Sequence, residues 1–166
     1  MPADNKVSVY GGTDQVNEDT IDYDKLVTKL IPKLMTAMMN NAIVWGDPSR
    51  VHLGQSISLV NTLLNTNSGH IYIEDSVTFS HNVCLLTGAH DVGKRDNDRQ
   101  RAIPPDGRDI VIRQGAWIAS NVTIVGPCEV GRNAVIGAGS VVLKDVKPNW
   151  FYAGVPARPI KKVLDD

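Results

Sequence analysis

The chain has 166 residues and a formal charge of −1, from 17 Lys and Arg against 18 Asp and Glu. That length suits one domain with a substantial core, and the near-neutral balance leaves no general positive potential to hold a polyanion, so nucleic-acid binding is not expected. No basic segment precedes an apolar run at the N-terminus, and no stretch approaches the roughly 18–20 apolar residues that cross a bilayer, so membrane insertion is not expected and a cytoplasmic location is.

Residues 1–20 are polar, carry the pair Gly11 and Gly12, and show neither a strand nor a helix period. They read as a loose arm. From Asp22 to Asn41 the apolar residues Leu26, Leu30, Leu34, Met35, Met38 and Met39 recur at intervals of three and four, which predicts a helix with one apolar face. Pro32 is expected to kink or split it, and the Leu and Met stripe to pack against the rest of the subunit. Residues 1–50 are thus an arm and a helix that pack on the remainder of the chain.

The next segment is a repeat, and a fixed period identifies an architecture before any single motif does. From Ile112 the chain reads IRQGAW, IASNVT, IVGPCE, VGRNAV, IGAGSV, VLKDVK: an aliphatic residue first and a small or β-branched residue fifth in every unit. IEDSVT, FSHNVC and LLTGAH, from Ile73 to His90, keep the same register with Phe79 in an aliphatic place, and a fainter version begins at Leu53 with LGQSIS and LVNTLL. Such a unit cannot bury its first residue alone, so units must stack, three to a triangular coil, with the fifth side chain pointing inward near a corner where only a small group fits. Ala116, Val122, Cys128, Ala134, Ser140 and Val146 meet that need. The fold class is mainly β, a parallel β-helix over residues 51–147 with a tail at 148–166. The two cysteines, Cys84 and Cys128, fall in this pattern as interior thiols of a reducing compartment.

One stretch, DVGKRDNDRQRAIPPDGRD from Asp91 to Asp109, breaks the register. It is highly charged and holds two consecutive prolines, so it must loop out of the coil. Its opposite charges nearly cancel, which makes it a poor polyanion site and a plausible lid over a site beside it.

The motifs LLTGAHD, AWIASNVTIVGPCEVGRNAVIGAGSVVLKDV and FYAGVPARPIKKV resemble the hexapeptide-repeat O-acetyltransferases, and within them the maltose, galactoside and nodulation-factor enzymes and those that acetylate surface polysaccharides. The likeness runs from about Val51 to Val163. It implies a left-handed helix, a homotrimer, and acetyl-CoA as co-substrate in a cleft between neighbouring subunits, with no metal required.

Acetyl transfer to a hydroxyl needs a base near neutral pKa. Of His52, His70, His81 and His90, only His90 ends a coil directly before the excursion, and GAHD matches the catalytic corner of the family. Asp91 is either the carboxylate that orients the imidazole or a solvated loop-start residue. The resemblance makes Asn61 an acceptor-positioning amide; by itself it equally suits an internal asparagine ladder. Trp117, outward-facing at a sixth position, matches a tryptophan that lines the acceptor and pantetheine cleft, with trimer packing as the other reading. Ala119 replaces the usual glycine beside it, adding a methyl near the pantetheine. Ser120 and Ala138 match contacts to the pantetheine arm. Leu143 stands where a threonine is common, and Arg158 and Lys161 match basic positions near the adenosine phosphates, although as bare residues they are an ordinary cationic tail.

Three other readings compete. The acceptor is an amine, as on an amino sugar or its nucleotide; or the chain is a γ-carbonic-anhydrase-like metalloenzyme, which needs three histidines on a metal across an interface; or the solenoid is structural and His90 does nothing. The surface-polysaccharide context makes a saccharide hydroxyl the preferred acceptor.

Overall fold

A hexapeptide that points its first and fifth side chains inward must turn a corner and stack on its neighbours. The computed structural model, which describes residues 22–40 and 42–163, is built this way. The expected loose arm at 1–20 lies outside the described residues.

The chain begins with α1 (Tyr23–Asn40) and enters β1 (Ile43–Trp45), β2 (Val51–Leu53), β3 (Leu63–Asn65), β4 (Ile71–Ile73), β5 (Thr78–Phe79) and β6 (Cys84–Leu86). The excursion comes next, carrying α2 (Asp96–Arg101). The coil then resumes with β7 (Ile110–Ile112), β8 (Trp117–Ile118), β9 (Thr123–Val125), β10 (Cys128–Val130), β11 (Val135–Ile136) and β12 (Val141–Val142), and ends with β13 (Trp150–Ala153) and β14 (Arg158–Lys162). From β3 to β12 successive strands fall on successive sheets: β1-β3-β6-β9-β12 is the first face, β2-β4-β7-β10 the second, and β5-β8-β11-β13-β14 the third. Every pairing is parallel except β13 with β14.

The register puts like residues above like. Leu64, Leu85, Ile124 and Val142 stack inside the first face; Ile73, Ile112 and Val130 inside the second; Phe79, Ile118, Ile136 and Tyr152 inside the third. All are buried, as are the six fifth-position residues expected to be. Each large aliphatic buried in this column contributes roughly 1.5–3 kcal/mol relative to exposure, so the column is the core.

Four expectations change. Leu53 pairs with Ile73 in the expected register but is 53% exposed, because β2 is the edge strand of its face, with no further strand above it among the described residues. In LVNTLL the unit is one residue short: Leu63 pairs with Cys84 and Leu64 with Leu85, so Thr62 takes the inward fifth place and is fully buried. The same pairing puts Cys84 on the outer side of the first face, half-buried, while Cys128 is interior as expected. The β-helix also begins earlier and ends later than 51–147, since β1 pairs with β3 and β13 with β11.

The helix differs too. α1 passes through Pro32 without being split; the proline leaves a carbonyl one turn earlier without its donor, and that turn is exposed, where water can take the donor's place. Leu26, Leu30, Leu34 and Met35 are each about half exposed, so this part of the stripe does not pack against the coil among the described residues. The side chains of Met38 and Met39 lie outside the described residues.

Candidate active site

β6 leaves the first face at the edge it shares with the second, and the excursion is inserted there before β7 resumes on the second face. His90 sits at the root of this insertion, exposed, with Nδ1 2.9 Å from the carbonyl oxygen of Arg99. A carbonyl can only accept, so Nδ1 carries a proton, and in the neutral ring Nε2 is then the nitrogen with the lone pair. That is the tautomer a general base requires.

Asp91 does not supply the orienting contact. Its Oδ1 accepts from the Gly93 N–H at 2.9 Å and its own N–H donates to the Ala102 carbonyl at 2.9 Å, so it shapes the loop start. The far limb of the excursion is tied to the coil by arginines: Arg108 Nε donates to the Thr87 carbonyl at 2.7 Å, and Arg50 Nη1 to the Pro105 carbonyl at 2.7 Å, with Asp106 3.2 Å from its other nitrogen. Between the limbs lies a cleft of about 680 Å³, lined by Ala89, His90, Asp91, Val92, Ala102, Ile103, Pro104 and Arg108. The helix α2 inside the excursion was not expected from the charged, proline-containing sequence.

Asn61 stands at a coil corner with φ +48°, and its Nδ2 donates to Asn82 Oδ1, whose Nδ2 donates to Asn121 Oδ1 at 3.1 Å. It forms the top of an asparagine ladder between the third and first faces, not a group beside His90. An amide that does lie at the His90 edge is Asn65, which the hexapeptide pattern does not single out. It belongs to β3, and a Cβ placed on Gly88 would fall 2.7 Å from its Oδ1. Pairing LLN with CLL, one coil apart, would have found it.

The residues expected at the co-substrate occupy another part of the prism. Trp117 is 49% exposed on the outer side of the third face, with Nε1 3.4 Å from Ser80 Oγ. That face lies opposite the edge that carries His90, so the two cannot meet within one protomer. The Ala119 N–H is spent on the Ile136 carbonyl at 3.0 Å. The Ser120 carbonyl accepts from the Gly139 N–H at 2.9 Å, which brings it beside Ala138 at the edge between third and first faces. Ala138 is exposed, and among the described residues its N–H has no backbone partner. Leu143 is 51% exposed at the end of β12, and Arg158 and Lys161 lie on β14, Lys161 opposite Phe151.

Charge is organised on the second face. Arg113 Nη1 and Nη2 each lie 2.7 Å from a carboxylate, Glu74 and Glu129 respectively. The guanidinium, with the Gln114 N–H, holds the Glu74 carboxyl below its ordinary value, and the two carboxylates raise Arg113. Nearby, His52 Nε2 lies 3.0 Å from His70 Nδ1, and His52 stacks on Tyr72 at 4.5 Å. Among the described residues no three His, Cys, Asp or Glu side chains gather as a metal site within the protomer. Burial, followed by the charges of Asp145 and Glu129, pushes the Cys128 thiol up to about 12, which removes it as a nucleophile.

The model of the bacterial transferase hexapeptide family (six repeats) matches residues 109–144. The galactoside O-acetyltransferase of Escherichia coli K12 is 33% identical over 145 residues, 82% of this chain and 68% of that protein. Among solved structures, a maltose O-acetyltransferase from Clostridium difficile 630 superposes with a TM-score of 0.53 at 25% identity, over 91% of this chain and 80% of that one. A serine acetyltransferase from Brucella abortus S19, solved with coenzyme A, superposes with a TM-score of 0.52 at 27% identity, over 83% of this chain and 48% of that one. Stacked hexapeptides, a histidine at the root of an inserted loop and a relative that matches over two thirds of its length lead to one conclusion: the chain belongs to the hexapeptide-repeat acetyltransferases, acyltransferases built on a left-handed parallel β-helix.

Proposed function

We propose that the protein transfers an acetyl group from acetyl-CoA to a hydroxyl of a sugar or saccharide, with His90 as general base. The observation that carries this reading is the bond from His90 Nδ1 to the Arg99 carbonyl, which leaves Nε2 free to take a proton at the mouth of an open cleft. Nε2 removes the hydroxyl proton as the oxygen attacks the thioester carbonyl; the carbon–sulfur bond then breaks and coenzyme A leaves as its thiol, taking the proton back. A backbone N–H or an ordered water steadies the oxyanion. No acyl-enzyme is needed, in keeping with the suppressed acidity of Cys128.

The co-substrate would lie in a groove between subunits of a homotrimer. Its support is the separation of the two halves of the site: His90 on one edge, and Trp117 with the Ser120 and Ala138 corner on the far side of the prism. The exposed apolar residues Ile43, Trp45 and Leu143 give the first face the character of a subunit contact. The free N–H of Ala138 suits a pantetheine carbonyl, the exposed side of Leu143 an apolar stretch of the same arm, and Arg158 and Lys161 the phosphates. The sugar acceptor is supported by what the E. coli and C. difficile proteins are named for. A cytoplasmic place in saccharide biosynthesis belongs to the same proposal. No described helix is long and apolar enough to cross a membrane.

A second reading, in which the acceptor is serine, is supported by the Brucella neighbour. A thiol-release screen with acetyl-CoA against alkyl galactosides, maltose, amino sugars and L-serine separates them. Release with neutral sugars supports the proposal; release with L-serine or an amino sugar alone replaces the acceptor class. His90→Ala should cut turnover by about 100-fold or more, and near-normal turnover removes the base.

A further inference from the structure

The carbonyl that fixes His90 belongs to a residue whose side chain folds back onto the same loop. Arg99 Nε donates to the Lys94 carbonyl at 2.7 Å and Nη2 lies 3.4 Å from the Val92 carbonyl. Both acceptors lie in the turn directly after His90 and Asp91. Arg99 therefore grips this turn with its guanidinium while its own carbonyl grips the imidazole.

Little else holds α2 in place. The helix has six residues and no buried side chain, and no side chain caps its N-terminus. A single helical turn of that length is not stable alone. Its other ties are the Asp91 N–H on the Ala102 carbonyl and the anchors of the far limb at Arg50 and Arg108. The turn at Val92 to Lys94 runs into α2 through Arg95, and among the described residues none of these other ties is a hydrogen bond between that turn and the helix.

We infer that Arg99 is the positioning residue of the base: its guanidinium fixes the loop so that its carbonyl holds His90 as the Nδ1–H tautomer. The inference rests on His90 being the base. Without the guanidinium the α2 carbonyl loses its set position, the imidazole exchanges between both tautomers, and only part of the population presents a lone pair at Nε2. Arg99 touches no reacting atom, so its loss should appear in turnover rather than in co-substrate binding.

The test compares Arg99→Ala and Arg99→Lys with the wild type in two measurements. Nitrogen-15 NMR of the labelled histidines, with the His90 signals assigned by their absence in His90→Gln, reads the tautomer. Thiol release with an alkyl galactoside, or with whichever acceptor the screen identifies, reads kcat and KM. The wild type should show the Nδ1–H form alone. Arg99→Ala should show both forms, with kcat down about 10- to 100-fold, the scale of a displaced catalytic group, and KM for acetyl-CoA unchanged. Arg99→Lys, which can still reach the Lys94 carbonyl, should fall between them. A single Nδ1–H form with wild-type kcat in Arg99→Ala overturns the inference, and so does a loss that appears equally in KM for acetyl-CoA. His90→Ala separates the two claims. If it turns over normally, the base assignment falls and takes the role of Arg99 with it; if it is inactive while Arg99→Ala behaves as wild type, only the role of Arg99 falls.

Discussion

The side chain of Asn65 fills the space that a Cβ on Gly88 would need, with Oδ1 2.7 Å and Nδ2 2.8 Å from that point. The two residues face each other across adjacent coils at the edge that carries His90. Asn65 Oδ1 is already engaged by the Asn67 N–H at 3.0 Å, so the amide cannot swing aside without losing that bond. Gly88→Ala should therefore displace the amide. The expected cost is about 1–3 kcal/mol, as for other overpacked sites, read as a lower melting midpoint. Turnover should fall more than this loss of stability alone would cause, and equal turnover per folded molecule would show that the Asn65 position does not matter to the site.

The corner asparagines carry a separate test. Asn82 has φ +61°, a left-handed conformation, and donates to Asn121 while accepting from Asn61. Asn82→Gly loses the ladder bonds but keeps the backbone at ease, whereas Asn82→Ala loses the bonds and adds backbone strain of about 1–2 kcal/mol. Ala should be less stable than Gly by about that amount in urea denaturation. Equal stabilities would mean the turn conformation contributes nothing.

Acid should weaken the second face. Glu74 is held below its ordinary carboxyl value first by its hydrogen bond from Arg113, so its contribution is present above that ordinary value and is lost as pH falls through the lower folded one. The partners are 40–45% exposed, so the whole cluster is worth roughly 1 kcal/mol or less. Arg113→Met should be less stable than wild type near neutral pH, and the gap should narrow as pH falls below the ordinary carboxyl value of 4.5 and Glu74 takes up its proton in the fold. A gap that stays constant with pH would show that packing of the Arg113 stem, and not its charge, carries the effect.

The interior thiol gives the opposite sign. Because burial raises Cys128 to about 12, the fold favours the neutral thiol; that contribution is complete below the ordinary thiol value of 9.0 and is lost as pH rises towards 12. In native protein near pH 8.5, roughly the ordinary thiol range, Cys128 should remain unalkylated by iodoacetamide. After unfolding in urea it should react, and peptide mass spectrometry distinguishes the two. Prompt native alkylation would mean that the coil opens at that level.

Much of the coil is readable because the signal is a period. Ile112 through Val146 need only the rule that first and fifth positions point inward, and each of those side chains is buried. The signal weakens where the period does. One missing residue in LVNTLL moves Thr62 into the core and leaves Asn61 in a ladder, and no local feature marks a deletion of a single residue. Cys84 reads as interior although its sixth position pairs outward with Leu63 and Thr123. The helical stripe of α1 is rightly periodic, but amphipathicity states only that a face wants a partner and not which surface supplies it.

His90 is recoverable from sequence because it ends a coil and begins the insertion; its environment is not. The acceptor for Nδ1 is a backbone carbonyl nine residues away, brought back by a short helix that no apolar pattern announces, while the adjacent carboxylate of Asp91 turns to its own loop. What the sequence determined by itself is the stacked coil, since inward packing at a fixed interval leaves few alternatives. What only the tertiary structure decided is which groups meet at the corner, because side chains and carbonyls one coil or one loop apart become neighbours only once the register is set.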